Sequence, residues 1–218
     1  MTARKNPFTR SRVRRSTLTA GLLAASVSAV APGAVFATPV TRAPRIIATI
    51  PSHLIATAAD GRAVDIATQP GWRVVYFWSM ECPCVSACEQ YSFIPLSKRY
   101  AGKVSFYGVV SGAYDLDQGI PTIISAIKDR SLPYPVLLDK THTVAKALSA
   151  EVTPQAFLLD PQNHVIFEGM ADDSRRFFKH EKPAGYEHTF LSDALDEALA
   201  GKPIAHPTNE LQGCIIAW

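Results

Sequence analysis

Cysteine is scarce in this chain, four among 218 residues. Three stand together at Cys82, Cys84 and Cys88, and the fourth is Cys214. A three-to-one clustering argues against a framework of structural disulfides. Acidic side chains are missing from residues 1–37, where Arg4, Lys5, Arg10, Arg12, Arg14 and Arg15 make a purely basic start. After that leader no run approaches the roughly 20 apolar residues that a membrane span needs. There is no internal repeat, which excludes a solenoid. A strong charge of either sign is missing too: the chain carries a net +3. Without the six basic residues of the leader, 16 basic residues stand against 19 acidic ones. A mildly acidic protein is no candidate for nucleic-acid binding.

The leader reads as an address. Arg14-Arg15 precedes the small, apolar run from Leu18 to Val30, and Val35-Phe36-Ala37 offers a cleavage site. This is the pattern of a secretory signal peptide of twin-arginine type. The expected destination is the periplasm or another exported compartment, with no membrane attachment after cleavage. Residues 38–49 then read as a linker and residues 50–218 as one domain, long enough for a single core.

Within that domain, His53 to Ile66 reads as a hairpin turning at Asp60-Gly61. Trp72 to Trp78 reads as a buried strand and Val85 to Tyr100 as a helix. Val104 to Ser111 is a second buried strand, and Ile120 to Arg130 a helix with Pro121 in its first turn. Tyr134 to Leu138 is a short strand and Thr143 to Ala150 a short helix. Gln155 to Leu159 and His164 to Gly169 are strands joined by the turn Asp160-Pro161-Gln162-Asn163. Leu191 to Ala200 is a helix stopped by Gly201 and Pro203.

The cysteines therefore sit where a strand hands over to a helix. A helix start offers unpaired N–H groups and positive dipole, which stabilise a thiolate. A thiolate is the nucleophile of disulfide exchange and also a soft metal ligand. Cys82-Pro83-Cys84 could close only a small, strained ring, since Val85 stands where a Cys-x-x-Cys would have its second thiol. Cys84 and Cys88, four apart, share a helix face and with Cys82 could hold one copper ion. Cys88 reads equally well as a small buried hydrophobe. The six histidines are scattered and read as solvated. Trp78 flanks the cysteines, and Asp172, Asp173, Arg175 and Arg176 form a charge run.

The motifs taken together resemble a known group. They are Cys82-Pro83, Thr153-Pro154, Phe157-Leu158-Leu159-Asp160, Gly169-Met170-Ala171-Asp172-Asp173-Ser174-Arg175, Leu199-Ala200-Gly201-Lys202-Pro203 and the terminal Gly213-Cys214-Ile215-Ile216-Ala217-Trp218. The chain resembles thioredoxin-like proteins of the redoxin class, related to peroxiredoxins of the alkyl hydroperoxide reductase and thiol-specific antioxidant type. The resemblance implies an α/β fold, a three-layer sandwich with a central mixed β-sheet flanked by helices. It implies a cis bond before Pro154, with Pro154 facing a nucleophilic Cys82. It implies a C-terminal tail folded over the site, with Cys214 as resolving thiol or disulfide partner, a role Cys84 could also take. Trp78, Thr153 and Arg175 would then touch the substrate, a protein or small-molecule disulfide or a peroxide, with no cofactor. The chain departs from the group at Glu81, where histidine is usual, and at Val152, where members often have cysteine. Ser79 partly fits the peroxiredoxin Thr-x-x-Cys signature. Copper-delivery proteins of the same fold supply the second reading, with copper on Cys82, Cys84 and Cys88.

Overall fold

The computed structural model describes residues 46–173 and 189–217. In chain order it contains β1 (Ala48–Thr49), β2 (Ile55–Ala58), β3 (Ala63–Asp65), β4 (Trp72–Phe77), α1 (Pro83–Cys88), α2 (Ile94–Arg99) and β5 (Val104–Val110). There follow α3 (Ala113–Asp117), α4 (Ile120–Asp129), β6 (Val136–Leu138), α5 (Thr143–Leu148), β7 (Val152–Thr153), β8 (Gln155–Leu159), β9 (His164–Gly169), α6 (Phe190–Leu199) and β10 (Cys214–Ile215).

β4 lies in the middle because both its faces are apolar. Val74 and Tyr76 point to one side, Val75 and Phe77 to the other, and all four are fully buried. A strand covered on both faces reads as a continuous apolar run, which is what the sequence offers. The main sheet runs β1-β9-β8-β4-β5-β6-β2-β3. β4, β5 and β6 are parallel neighbours, while β8 pairs with β4 antiparallel, so the sheet is mixed. Leu191 and Leu195 of α6 close one face together with Phe93 and Leu96. Val144, Ala145 and Leu148 of α5 close the other. The result is the thioredoxin-like three-layer α/β sandwich.

Several local features add to or depart from the sequence expectation. Residues 48–49 are not linker, because Ala48 and Thr49 pair with Val165 and His164 at the sheet edge. The helix after the cysteines is not uniform: a wider π-turn, Glu89–Phe93, separates α1 from α2. Pro95 has no N–H to return to the preceding turn, and a π-turn relieves that loss. The turn places Phe93 flat on Tyr76, ring centroids 3.8 Å apart, and edge-on to Tyr134 at 5.1 Å. A two-stranded sheet also forms from β7 and β10, bringing the chain's end against residues 152–153. The leader and Arg175 lie outside the described residues. Among the described residues no helix is long and apolar enough to cross a membrane.

Candidate active site

The end of β4 delivers the cysteine segment to the sheet's edge, with the Trp78 N–H still bound to the Val109 carbonyl at 2.8 Å. Cys82 is extended at the helix start, and Pro83 occupies the first helical position, where a missing N–H costs nothing. The Val85 N–H returns to the Cys82 carbonyl at 3.0 Å. This closes the first turn and leaves the Cys82 sulfur beside the free N–H groups of that turn. Cys82 is 2% exposed. Its sulfur lies 3.2 Å from the Thr153 carbonyl oxygen, and the Thr153–Pro154 bond is cis.

The tail completes the site. β10 runs antiparallel to β7, with Cys214 opposite Thr153 and Ile215 opposite Val152. The Cys214 thiol donates to the Cys82 sulfur across 2.6 Å. Further bonds fasten the tail: Ile216 N–H to the Glu151 carbonyl at 2.9 Å and Ala113 N–H to the Ala217 carbonyl at 2.8 Å. Upstream, Asn209 clamps Met170, accepting from its N–H at 2.8 Å and donating to its carbonyl at 3.0 Å. Cys82, Cys214, Thr153, Ser79 and Asp115 line one cavity of about 200 Å3, rimmed by the exposed Tyr114 and Ile215.

The three sulfurs at the site differ in acidity. Burial alone would raise the Cys82 thiol. Hydrogen bonds from the Cys214 thiol, the Thr153 side chain and the Val85 and Cys214 backbone N–H groups outweigh it and bring Cys82 below the usual thiol value. Cys214 is pushed up to about 12 by burial, by its bond to Cys82 and by the Cys82 charge. Burial and the Cys82 charge also raise Cys84, which is half-buried. Glu81 is an exposed residue of the same cavity, and its charge adds to what raises the Asp115 carboxyl. The arrangement sets a sulfur that is more acidic than an ordinary thiol beside a second that holds its proton more tightly.

Trp78 is a correction. It is fully buried, its indole N–H donates to Glu89, and it has no surface to offer a substrate. Cys88 belongs with it: fully buried, with a thiol held well above its usual value by burial first and by nearby Asp172 second. Among the described residues no three His, Cys, Asp or Glu side chains are gathered to hold a metal. Of the three cysteines read as copper ligands, Cys88 is fully buried in the core.

Two functional features escape sequence reasoning. Behind the site, Glu89 is 3% exposed and accepts from Arg130 at 2.8 Å as well as from Trp78. Arg130 also donates to the Met80 carbonyl and lies over the Trp78 ring at 5.2 Å. These 41 residues of separation leave no local signal. Asp115, buried and accepting from the Met80 N–H at 3.1 Å, lies in the cavity wall. Burial raises its carboxyl above the ordinary range, against hydrogen bonds from Ser79 and Met80. Its sequence signal, an acid in the first turn of a five-residue helix, reads only as a cap.

Comparison with known proteins agrees with this geometry. The thioredoxin-like protein SkfH of Bacillus subtilis is 25% identical over 99 residues, 45% of this chain and 68% of that protein. A hypothetical protein of Sinorhizobium meliloti 1021 superposes with a TM-score of 0.66 at 22% identity, over 81% of this chain and 97% of that one. An uncharacterised conserved protein of Geobacillus kaustophilus gives 0.65 at 23% identity, over 83% and 94%. Both share the fold. The model of the AhpC/TSA family matches residues 42–168, more than half of the chain, and the protein therefore belongs to that redox family.

Proposed function

We propose that the protein is an exported thiol–disulfide oxidoreductase with Cys82 as nucleophile and Cys214 as resolving thiol. The observation that carries the reading is the sulfur pair, Cys214 held 2.6 Å from Cys82 at the start of α1, with the directions of their acidities in support. The Cys82 thiolate attacks one sulfur of a substrate disulfide. The new bond joins Cys82 to that sulfur, and the other substrate sulfur leaves as a thiolate. Cys214 then loses its proton and attacks the Cys82 sulfur. The substrate leaves fully reduced, and two electrons have left the Cys82–Cys214 pair. A dithiol or partner reductase restores the pair. Cys84 also bonds to the Cys82 side chain and feels its charge; the 2.6 Å approach of Cys214 across the cavity favours it as resolver. Thr153 orients the sulfur, and Pro154 fixes the turn that brings Thr153 there. The cycle needs sulfur alone. The export reading rests on the leader sequence.

The trap for this cycle is Cys214→Ser. With no resolving thiol, the first exchange still proceeds and the Cys82 mixed disulfide accumulates, visible as an added mass in non-reducing mass spectrometry. Failure to accumulate any Cys82 adduct from a small disulfide would remove the assignment.

Acidity gives a second test. A lowered pKa means more thiolate at neutral pH, so alkylation of Cys82 rises to its plateau at lower pH than for free cysteine. The expected midpoint lies below about 8.5. Removing the Cys214 donor takes away a stabilising hydrogen bond, so the midpoint in Cys214→Ala, which leaves no donor there, moves upward. A wild-type midpoint above the free value would defeat the activated nucleophile.

A peroxide is the second reading. It is favoured by family membership and by Ser79, whose hydroxyl shares the cavity with Cys82. The thiolate would take the distal oxygen as a sulfenic acid and release an alcohol, and Cys214 would then expel water to form the same disulfide. Consumption of an alkyl hydroperoxide with disulfide formation would select it.

A further inference from the structure

The cavity that holds the two sulfurs is lined by charge of one sign. We infer that it selects disulfides carrying a positive charge beside their sulfurs, and that Glu81 sets this preference. The inference rests on Cys82 being the nucleophile and names the substrate class it serves.

Two carboxyl side chains line this cavity, the exposed Glu81 and the buried Asp115. Among the described residues of the lining there is no lysine, arginine or histidine to oppose them. Ser79 ties both acids to one wall. Its hydroxyl accepts from the Glu81 N–H at 3.3 Å and donates to the Asp115 carboxyl. Asp115 also accepts from the Met80 N–H at 3.1 Å, and a carboxyl that only receives hydrogen bonds is placed to carry charge. Both charges are felt inside the cavity: Glu81 acts on Asp115, and Asp115 acts on the Cys214 sulfur. Arg130 also acts on Asp115, but its guanidinium is paired with Glu89 at 2.8 Å. At the mouth stands Tyr114, 62% exposed. An open aromatic face attracts a cation and offers an anion nothing. A substrate with an ammonium or guanidinium group within a side chain's length of its disulfide meets carboxylate and ring together. The exchange itself is unchanged: Cys82 bonds to one substrate sulfur, and the other leaves as a thiolate. Charge acts on the approach, where complementarity sets the choice of partner. Glu81 is the residue to vary, because it is exposed, adjoins Cys82 in sequence and caps nothing through its side chain among the bonds of the site.

The test uses the full-length reduced protein and three small disulfides of similar size. Cystamine is cationic, bis(2-hydroxyethyl) disulfide neutral and dithiodiglycolate anionic. Loss of the Cys82 thiol is timed by acid quench, alkylation and mass spectrometry. Mercaptoethanol, run with the same three, gives the bias that any free thiolate has. At low salt the protein is expected to exceed that bias, for cystamine over dithiodiglycolate, by roughly tenfold, the effect of carboxylates at close range in a partly wet site. In about 1 M salt, where charges are felt over only about 3 Å, most of the excess disappears. Glu81→Gln lowers the excess several-fold, Glu81→Asp keeps most of it, and Glu81→Lys takes the preference below the mercaptoethanol value. Tyr114→Leu lowers the cystamine rate relative to the neutral disulfide by roughly two- to fivefold. Each ratio is taken within one variant, so a general change in Cys82 reactivity cancels. A wild-type preference equal to that of mercaptoethanol, or one that Glu81→Gln leaves unmoved, overturns the inference. If the neutral disulfide still consumes the Cys82 thiol in that case, the nucleophile assignment stands alone. If none of the three consumes it, both fall.

Discussion

Serine in place of Cys82 is expected to abolish disulfide-reductase turnover, a fall of roughly a thousandfold or more. No other thiol can take over. Burial, the largest cause at each, raises Cys214 and Cys84 even when the Cys82 charge is gone, and neither takes the N-cap place of residue 82 at the start of α1. Cys88 is held well above its usual value by burial and has no exposed surface. A hydroxyl at position 82 is a much weaker nucleophile than the thiolate it replaces. The measurement is steady-state reduction of a small chromogenic disulfide with a dithiol as electron donor. Cys88→Ser serves as the matched control and keeps most of the turnover, because its sulfur points away from the cavity. Turnover retained in Cys82→Ser would sink the catalytic assignment whatever the other variants did.

The largest effect on stability is expected from Arg130→Ala, at about 3 kcal/mol or more. The reason is what stays behind. Glu89, with a side chain only 5% exposed, loses the guanidinium that faces it at 2.8 Å. Met80 loses the donor on its carbonyl, and Trp78 loses the cation over its ring. Because Arg130 itself is partly exposed, water reaches the gap and holds the cost near the lower end for a broken buried pair. For a domain of this size that is a drop in melting temperature of roughly 10 °C. The pH dependence has a definite sign. Burial raises the Glu89 carboxyl above its usual 4.5 despite Arg130. A raised folded-state pKa means the native state holds that proton more tightly than the unfolded one, so Glu89 favours folding less as pH rises through that window. Without Arg130 the window moves up, and the deficit shrinks on acidification as Glu89 takes a proton. Thermal melts at neutral and mildly acidic pH measure both. A variant melting within a degree or two of wild type would remove the buried pair from the account of the fold. Because Arg130 also steadies Met80, two residues before Cys82, the same variant should react more slowly with disulfides.

How much of this was legible beforehand depends on the range over which each signal acts. β8 and β9 match the sequence expectation to the residue, since their patterning is local and the Asp160–Asn163 turn marks their ends. Cys82 was placed by a strand and a helix start that meet in sequence. The docking of Cys214 came from family resemblance, because β7 and β10 have two residues each and two residues carry no period. α3 was missed for the same reason of length. Trp78 was misassigned because an aromatic beside a cysteine looks the same whether it walls a cleft or fills the core. Only the distant Glu89 decides, by drawing the indole N–H inward. The π-turn could have been suspected from Pro95, but one proline does not say where the helix will widen.

The Asn209–Met170 clamp sets a length scale for resolution. Once β10 and the Ile216 and Ala217 bonds let go, the chain stays fastened at Asn209, and the five residues from 210 to 214 lead from that anchor to the Cys214 sulfur. At about 3.5 Å each, they keep the Cys214 sulfur within roughly 17 Å of its anchor. A tether that short holds its end at a local concentration in the millimolar range or above. A free small-molecule thiol in the surrounding medium would have to match that concentration to intercept the Cys82 adduct first. The clamp, made without any cysteine, thus biases each turnover toward the internal partner.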